Sequence, residues 1–587
     1  MNVLIVGAGG REHALAWKCS KSAKISSLFV TPGNGGIAKI AECLGITDID
    51  EIVKLAVDNK IDLAIIGQED YLVKGLTELL EVKGISVFGP GKFASQLEGS
   101  KVFAKEFMQK HKIPSASYEV FNDPKKASKH LKAQQPPYVI KASGLAAGKG
   151  VILVDDFEQA EKAIERIMVD KCFGEAGEQV VIEEFLKGEE ASWFVITDGE
   201  NFHCAPSLQD HKRQLDLDQG PNTGGMGCYS PAPVVTKAVQ EKIIREIVEP
   251  TLEGMKKEGH PYKGVLYIGL MIDQQQPKVI EYNIRFGDPE CQPLMMLLDS
   301  DLLEIALAAT EKRLDKISID WKQKSAVSLI LASGGYPHSY QKGHVIQGLE
   351  EIIEGDDLMV FHAGTKKDQN RFMTSGGRVL GVTCLADDLP SAIEKVYETA
   401  KYVHWPQMQY RRDIGLKGLK RMSGSRSENL VTILMGSASD APVAKKATQI
   451  LKQFNISFKV YVSSAHRTPE RTRNLIQQTE KDGCEVYIAI AGMAAHLPGV
   501  IASETQKPVI GIPVDSMLGG QDALYAIVQM PPGIPVATVG INRGENAALL
   551  ATQILALKYP AIAAYHQEYR LQMEQKVITS QAGIVDA

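Results

Sequence analysis

The feature that most constrains the fold is an opening pattern that occurs twice. A short apolar, strand-like run followed by a glycine turn stands at residues 3–10 and again at residues 430–439. Between the two copies, residues 415–428 are rich in Gly, Ser, Lys and Arg and have no sustained apolar periodicity, which is typical of a linker. The sequence therefore predicts two proteins joined end to end, each beginning as an α/β fold.

Composition excludes several classes of protein. The 587 residues predict about three to four domains. A net charge of −6 gives no general attraction to nucleic acid or membrane, and no apolar run approaches the roughly 18 residues of a membrane span. The eight cysteines are scattered without a C-x-x-C pair, which argues against a disulfide framework or a structural zinc. We expect a cytoplasmic protein with neither nucleic-acid nor membrane partners.

The first glycine turn predicts a site for one phosphate rather than for a dinucleotide. It precedes a helix-like segment, whose free N–H groups suit an anion. The dinucleotide fingerprint would need a third glycine at position 12, where Glu12 stands. A tight turn without a ligand is an equally good explanation. Further strand ends with turn residues, at 30–34, 63–69 and 87–90, predict a small parallel α/β domain over residues 1–100.

Residues 138–154 predict a strand, a glycine loop and a second strand, with lysines at Lys141 and Lys149. A Walker A loop needs four residues between its glycines, then Lys, then Ser or Thr, then a helix. Here three residues separate Gly144 from Gly148, a glycine follows the lysine, and the next segment is β-like. The P-loop interpretation fails, and the segment is a candidate lid over a triphosphate. An ordinary glycine-rich hairpin is the alternative.

Glu281, Asn283 and Arg285 recur at every second position, so they are predicted to share one face of a strand. Carboxylate and amide oxygens suit a Mg²⁺ ion that bridges phosphates, and a cation on the same face suits an anionic substrate. A half-exposed polar strand is the alternative. Upstream, the polar segment 209–213 and the glycine loop 220–227 allow close backbone approach to a small ligand.

In this combination, residues 1 to about 420 resemble the phosphoribosylamine–glycine ligases, which are ATP-grasp enzymes. The motifs that carry the resemblance are, in order, GGREHALAW, LEGSK, VIKASGLAAGKGV, VIEEFLKGEE, QDHKR, GPNTGGMG, IEYNIRFGDPE and FHAGT. The resemblance implies a phosphoribosylamine-binding α/β domain (1–100), an ATP-grasp domain (101–325) and a β-rich C-terminal ligase domain (326–414), followed by the linker (415–428). It also implies that ATP activates glycine as an acyl phosphate, which the amine of 5-phosphoribosylamine attacks. Catalysis would come mainly from positioning and charge neutralisation.

The resemblance implies roles for individual residues, with ATP and Mg²⁺ (or Mn²⁺) as cofactors. The metal ligands would be Glu281 and Asn283. The residues at the nucleotide, including the adenine hinge, would be Lys101, Lys141, Lys149, Glu183, Glu184, Leu186 and Glu190. The phosphate of phosphoribosylamine would be held by Gly9, Gly10 and Arg11, and glycine with its acyl phosphate by Lys212 and the catalytic residues Asp210 and Arg285.

Two positions depart from the pattern of this family. Ser143 stands where an Asp is expected, which changes the charge of the lid near ATP. Residues 67–71 replace the usual Gly-Pro-Glu-x-Pro loop, which puts the ribose contacts in doubt. Neither change removes a predicted metal ligand.

After residue 430, apolar β-like runs alternate with helical segments, which is typical of a doubly wound α/β domain. The runs are 430–435, 457–462, 486–491, 509–512 and 536–540. The turns that follow the first three runs carry Ser437 and Asp440, then His466 and Arg467, then His496. Either histidine alone is more typical of a solvated loop. Two at the ligand edge of one sheet predict a phosphate-anchored acid/base site.

These residues resemble the class I N5-carboxyaminoimidazole ribonucleotide mutases, through GSASD, SAHRTP, AGMAAHLPG and DALYAIVQMPPGIPVAT. The resemblance implies a flavodoxin-like domain over residues 429–587 that moves CO₂ from the N5 carbamate to C4 of the imidazole, without ATP or metal. His466 would give and take the proton, and His496 would lie in the dry pocket that CO₂ needs. Ser437, Asp440 and Arg467 would hold the ribose phosphate and hydroxyls. Such mutases are typically octamers, so a homo-octamer formed through this domain is expected.

Three hypotheses stay open. The first is a bifunctional enzyme of de novo purine biosynthesis that acts on glycine, 5-phosphoribosylamine and N5-carboxyaminoimidazole ribonucleotide. In the second, the C-terminal domain mainly assembles the oligomer, and in the third the chain is a nucleotide-binding regulator with an inactive ATP site. Within the first, direct carboxylation of aminoimidazole ribonucleotide by CO₂, as in class II enzymes, is the alternative to the mutase reaction.

Overall fold

The structure, a computed structural model, describes residues 1–145, 150–422 and 429–585, with side chains in the last helix to residue 580. The chain divides into two compact units, Met1–Gly415 and Leu416–Ala587. The predicted lid lysine, Lys149, and residues 423–428 of the predicted linker lie outside the described residues. Within the described ranges, no helix combines the length and the apolar character needed to cross a bilayer.

The chain opens with a parallel sheet of strand order β3-β2-β1-β4-β5. Its strands are β1 (Asn2–Gly7), β2 (Ser27–Pro32), β3 (Glu42–Cys43), β4 (Leu63–Ile66) and β5 (Ser86–Phe88). The helices are α1 (Gly10–Ser20), α2 (Ile49–Asp58), α3 (Glu69–Val73), α4 (Leu76–Glu81) and α5 (Gln96–Gly99). Residues 3–6 are fully buried, because helices cover both faces of the sheet. The predicted parallel α/β domain is confirmed, with the first glycine turn at the carboxyl end of the central strand.

Two antiparallel sheets follow, of order β6-β9-β7-β8 and β11-β10-β16-β17. The strands of this region are β6 (Tyr118–Phe121), β7 (Tyr138–Ala142), β8 (Val151–Val154), β9 (Val180–Glu183), β10 (Glu189–Thr197), β11 (Phe202–Cys204), β12 (Gln209–Asp210), β13 (Arg213–Leu215), β14 (Gln219–Asn222), β15 (Gly227–Ser230), β16 (Gly264–Asp273) and β17 (Gln276–Asn283). The helices are α6 (Lys101–Lys110), α7 (Pro124–Lys132), α8 (Phe157–Ile164), α9 (Lys237–Ile243), α10 (Glu249–Lys257), α11 (Cys291–Leu297) and α12 (Leu302–Thr310). Strands β7 and β8 form the predicted pair around the glycine loop.

The last sheet of the first unit joins strands from distant parts of the chain, in the order β12-β15-β18-β22-β19. Its later strands, with a hairpin and a helix, are β18 (Ser325–Ala332), β19 (Leu358–His362), β20 (Thr365–Asp368), β21 (Arg371–Thr374), β22 (Arg378–Ala386) and α13 (Leu389–Ala400). The predicted boundary at residue 325 therefore separates strands of one sheet. As a result, Asp210 on β12 lies in the sheet of the C-terminal ligase domain.

The second unit is a parallel sheet of order β24-β23-β25-β26-β27, the flavodoxin-like arrangement. Its strands are β23 (Val431–Met435), β24 (Phe458–Val462), β25 (Val486–Gly492), β26 (Val509–Val514) and β27 (Ala537–Thr538). Its helices are α14 (Leu416–Arg421), α15 (Ala441–Gln453), α16 (Pro469–Lys481), α17 (Leu497–Glu504), α18 (Gln521–Val528), α19 (Gly544–Ala556) and α20 (Pro560–Val585). Each strand predicted after residue 430 is present, and the predicted doubly wound fold is confirmed.

The prediction of a linker from residue 415 is wrong for its first part, because Leu416–Arg421 form helix α14. Leu416 and Leu419 are buried, and α14 packs on α20, where Lys420 pairs with Glu568. Residues three apart lie on the same face of a helix, so two leucines suffice for a short apolar stripe. The many Gly, Ser and Lys residues around them concealed this stripe.

Candidate active sites

A buried carboxylate between two lysines forms the base of the first site. Lys141 of β7 and Lys105 of α6 place their Nζ atoms 2.9 and 3.1 Å from Glu183 Oε2, and all three side chains are at most 4% exposed. Burial lowers the pKa of Lys105, while Glu183 opposes this shift. Among the described residues, Glu183 Oε1 has no hydrogen-bond partner. Two cations around one carboxylate leave a net positive charge, which suits phosphate oxygens.

Glu281 of β17 faces the same group of lysines. Lys212 Nζ lies 3.4 Å from Glu281 Oε1 and 3.3 Å from Glu190 Oε2. Burial alone would raise the pKa of Glu281, but Lys212, Lys141 and Lys101 lower it to about 2. The carboxylate is therefore ionised at neutral pH.

Burial along the end of β17 follows the predicted two-residue period. Glu281 and Asn283 are half-buried, whereas Tyr282 and Ile284 are buried. The two half-buried side chains offer hard oxygen ligands on one face. A Mg²⁺ ion needs only one or two such protein ligands when phosphates and water supply the rest, so the donor set fits this ion.

The predicted adenine hinge follows the end of β9. Glu184 is exposed, and its Oε2 accepts hydrogen bonds from the N–H and hydroxyl of Ser117 at 3.3 and 3.2 Å. A cavity of about 490 Å³ opens here, lined by residues 182–185 and, opposite them, by residues 134–137. Leu186 is half-buried beside this wall. The volume is within the usual range of ligand pockets.

The turn after β1 is built around Glu12. Glu12 is fully buried, and its carboxylate accepts from Gly9 N at 2.6 Å and pairs with Arg11 Nε at 2.6 Å. A methyl group on Gly7 or Gly67 would come within 2.5 Å of the Glu12 side chain. Glu12 therefore fills the space behind the turn and excludes the dinucleotide arrangement. Arg11 is 7% exposed, so its role at a phosphate stays a prediction.

Arg285 lies between acids of two elements rather than beside Lys212. Its Nε is 3.0 Å from Glu69 of α3 and its Nη2 is 2.7 Å from Glu98 of α5. Burial would lower the pKa of Arg285, but Glu98 and Glu69 raise it. Strand β17 ends at Asn283, so the predicted two-residue spacing does not extend to Arg285. Its catalytic role at glycine stays a prediction.

Asp210, which is half-buried, lies near a second acid, the buried Glu290. Burial and the nearby Glu290 raise the pKa of Asp210 well above its usual value, while Lys212 opposes this shift. Glu290 accepts hydrogen bonds from Tyr267 at 2.9 Å and Ser192 at 3.1 Å. This pKa direction makes Asp210 a better proton acceptor than an exposed carboxylate.

Neither Glu290 nor Lys105 was predicted from the sequence to belong to a site. Glu290 lies within the motif that carries the metal ligands, so a signal for it was present. Lys105 follows Lys101 by four residues, which places both on one face of α6. Lys101 lies near Glu281 and Lys141, and burial lowers its pKa.

In the second unit, the predicted residues gather at the carboxyl edge of the sheet. His466, after β24, places Nε2 2.7 Å from Nδ1 of His496, after β25. After β23, Asp440 Oδ2 accepts from Ser437 N at 3.1 Å, and the 13-residue helix α15 begins directly afterwards. Burial raises the pKa of Asp440. Arg467 bonds to Ser464 and remains exposed, which leaves its guanidinium accessible to an anion.

Comparison with known families matches both units. Residues 1–98, 99–291 and 326–417 match the phosphoribosylglycinamide synthetase N, ATP-grasp (A) and C domains. Residues 430–576 match the AIR carboxylase family. Among curated proteins, the chain is similar to the phosphoribosylamine–glycine ligases of Vibrio vulnificus (49% identity) and Escherichia coli K12 (48%), in each case over 72% of this chain and 99% of the relative.

Solved structures agree with these matches. The phosphoribosylamine–glycine ligase of Thermotoga maritima aligns with a TM-score of 0.62 at 34% identity, over 70% of this chain and all of that chain. The biotin carboxylase domain of the Hydrogenobacter thermophilus 2-oxoglutarate carboxylase aligns at 0.57, over 72% of this chain and 93% of that one, but its 16% identity shows a shared fold alone. The chain therefore belongs to the phosphoribosylamine–glycine ligase family in its first unit, and carries a fused domain of the AIR carboxylase family in its second.

Proposed function

We propose that the chain is a bifunctional enzyme of de novo purine biosynthesis. The first unit would join glycine to 5-phosphoribosylamine with ATP and Mg²⁺. The second would convert N5-carboxyaminoimidazole ribonucleotide into 4-carboxyaminoimidazole ribonucleotide. The observation that carries the first activity is the ionised Glu281 among Lys101, Lys141 and Lys212, because this arrangement can receive both a metal and phosphates.

Different residues of the first unit would have different roles in the ligation. Lys101, Lys141 and Lys105 would neutralise phosphate oxygens. Lys141 and Lys105 are buried and Lys101 is half-buried, so little water screens their charges. Glu281 and Asn283 would hold Mg²⁺, which when bound supplies further charge neutralisation. When the amine of 5-phosphoribosylamine attacks the acyl phosphate, the C–N bond forms, the bond to phosphate breaks and inorganic phosphate leaves. The nitrogen loses a proton in this step, and Asp210 would take it.

Glu281→Ala tests the ligase assignment. We expect loss of at least about 100-fold in kcat/KM for ligation, measured as glycine-dependent release of ADP and formation of glycinamide ribonucleotide. Glu253→Ala, which alters an exposed acid paired with Lys257, is the matched control. Near wild-type ligation by Glu281→Ala at ordinary Mg²⁺ concentrations would mean that the metal ligands are misassigned.

Support for the second activity comes from the His466–His496 contact at the same edge of the sheet as Ser437 and Asp440. Strands β23 and β25 flank the point where the strand order reverses, which is where such sheets bind ligands. As the N5–carboxyl bond breaks and CO₂ is released, one imidazole can give a proton to the nitrogen. When C4 then forms a bond to this CO₂, the same imidazole can take the proton that C4 loses, with neither ATP nor metal in the proposed step. Direct carboxylation of aminoimidazole ribonucleotide uses the same C4 chemistry and is the second candidate.

Two substrates distinguish these candidates. The purified chain is supplied, without ATP, either with the N5 carbamate at low bicarbonate or with aminoimidazole ribonucleotide and bicarbonate. Product from the carbamate alone supports the mutase, whereas comparable use of bicarbonate supports direct carboxylation. His466→Asn should abolish either reaction and leave glycine ligation near wild type, with His566→Asn in α20 as the control. Loss of both activities in His466→Asn would contradict two separate sites.

We also propose that the second unit assembles a homo-oligomer, an octamer by family resemblance. Large apolar side chains are exposed on and just before α18: Met517 (75%), Leu518 (68%), Tyr525 (58%) and Val528 (55%). Exposed apolar groups this close together favour a protein contact. Sedimentation of the wild type and of Leu518→Asp would test this, and a wild-type monomer at micromolar concentration would contradict it. Both activities in such a monomer would also exclude the purely assembling role.

A further inference from the structure

Arg378, the first residue of β22, lies where the glycine loop meets the motif after β17. Its Nη1 donates to the carbonyl oxygens of Gly224 at 2.7 Å, Gly225 at 3.4 Å and Asp288 at 2.5 Å. Its Nη2 lies 3.3 Å from the carboxylate of Asp288. One guanidinium of the C-terminal ligase domain thus binds two segments of the ATP-grasp domain. A fork of several donors is what this geometry needs, and only arginine provides it.

The glycine loop is shaped to the groups on its two sides. A methyl group on Gly224 would lie 3.1 Å from Cζ of Arg378, and the N–H of Gly224 donates to the Tyr336 hydroxyl at 3.1 Å. Gly225 has φ +110°, and a methyl group there would lie 2.9 Å from Asp210 Oδ1. The loop therefore fills the space between Arg378 and Asp210. A shift of Arg378 would be transmitted to Asp210 through backbone rather than through a flexible side chain.

Asp288 connects Arg378 to the turn after β1. A methyl group on Gly9 would lie 3.1 Å from Asp288 Oδ2, and Gln292 donates to Asp288 Oδ1 at 2.8 Å. Burial would raise the pKa of Asp288, but Arg378 and Arg11 lower it, so the carboxylate is ionised. Asp288 thus lies between Arg378 and the turn that is predicted to hold the phosphate of the amine substrate.

We propose that Arg378 is a positioning residue for the amine substrate. It holds the turn at Gly9 and the loop at Gly224–Gly225 in register, so that the phosphate site and Asp210 face one ligand. This inference rests on the proposed ligase function. Among the described residues, the ion pairs and hydrogen bonds of Lys105, Lys141 and Glu281 join them to groups other than Arg378, so the nucleotide half of the site should not depend on Arg378.

Steady-state kinetics of Arg378→Lys distinguishes an effect on the amine substrate from an effect on the nucleotide. Lysine keeps the charge but can satisfy only part of the fork. We expect the KM for 5-phosphoribosylamine to rise about 10-fold or more, while the KM for ATP and that for glycine stay within about two-fold of wild type. Tyr336→Phe removes only the hydroxyl that accepts from Gly224, and it should shift the same KM in the same direction by a smaller factor. Arg313→Lys, a partly exposed arginine paired with Glu304 and Glu311, is the control.

A second measurement separates positioning from general instability. Arg378→Gly leaves space for a free guanidinium ion, so millimolar guanidine, well below denaturing levels, should restore part of the activity with 5-phosphoribosylamine. A merely destabilised protein would gain no activity from this addition.

The inference is overturned if the KM for ATP rises as much as that for the amine, or if no KM changes. If Arg378→Lys does not fold, as judged by tryptophan fluorescence, Tyr336→Phe decides by the same criterion. A wild-type chain without ligation would instead contradict the proposed function.

Discussion

The buried pair His13 and His362 gives the first unit a calculable dependence of stability on pH. His13 Nδ1 accepts the backbone N–H of His362 at 2.8 Å, and the ring of His362 bonds to Thr365. Burial, with Lys39 nearby, lowers the pKa of His13 from 6.5 to about 3. Burial also lowers the pKa of His362, with His13 and Lys39 contributing. The ring of His13 is therefore neutral in the folded protein at pH 5, whereas in the unfolded chain it is charged, and the lowered pKa of His362 acts in the same direction.

The direction and size of the effect follow from proton linkage. As the pH falls below about 6.5, the unfolded state binds a proton that the folded state takes up only near pH 3, so the free energy of unfolding decreases. For His13 alone, the loss between pH 8 and pH 5 is about 2 kcal/mol. The variant His13→Asn keeps an acceptor for the His362 N–H and cannot titrate. Its stability should therefore fall by about 2 kcal/mol less than wild type over the same range.

Tryptophan fluorescence can follow the first unit alone, because the four tryptophans, at 17, 193, 321 and 405, all precede residue 416. Urea unfolding at several pH values gives the free energy of unfolding for wild type, for His13→Asn and for His338→Asn, an exposed control. His338→Asn should follow the wild-type curve. Parallel curves for wild type and His13→Asn between pH 8 and pH 5 would refute the reasoning.

Three further predictions concern other contacts. Lys105→Met removes one of the two cations on Glu183 and should raise the KM for ATP about 10-fold. Lys110→Met, on the exposed side of the same helix, should leave this KM unchanged. Equal KM values for the two variants would contradict a role of Lys105 at the nucleotide. Glu12→Ala leaves Arg11 buried without its partner and should cost about 3 kcal/mol in urea unfolding; a change below about 1 kcal/mol would mean that the pair is dispensable. A truncated chain that starts at residue 429 lacks α14, so its melting temperature should be several degrees below that of a chain that starts at residue 416. Equal melting temperatures would show that α14 adds no stability.

The strands of the second unit could be predicted because each is a continuous apolar run in a sheet covered on both faces. The residues 431–435, for example, are all buried. Their order in the sheet also fixes which turns meet, so Ser437, His466 and His496 were predicted correctly to lie at one edge. For such a sheet, local composition carries most of the information about both fold and site.

The first unit shows where local composition fails. The two-residue spacing placed Arg285 on the face of Glu281, but the strand ends before it, and long-range pairs with Glu69 and Glu98 decide its position. Likewise, Arg378 lies 154 and 90 residues from its partners Gly224 and Asp288, and Asp210 lies 80 residues from Glu290. Non-local contacts of this kind leave no periodic signal in the sequence.

The sheet that combines β12 and β15 with β18, β19 and β22 has a consequence for folding during synthesis. Strand β15 ends at Ser230 and pairs with β18, which begins at Ser325, 95 residues later. At about 5–20 residues per second, a ribosome needs about 5–20 s to make that interval. During this time β15 presents an unpaired edge, and Asp210 is attached to an incomplete sheet. The half of the first site that we propose for the amine substrate is thus completed only after the C-terminal ligase domain has emerged.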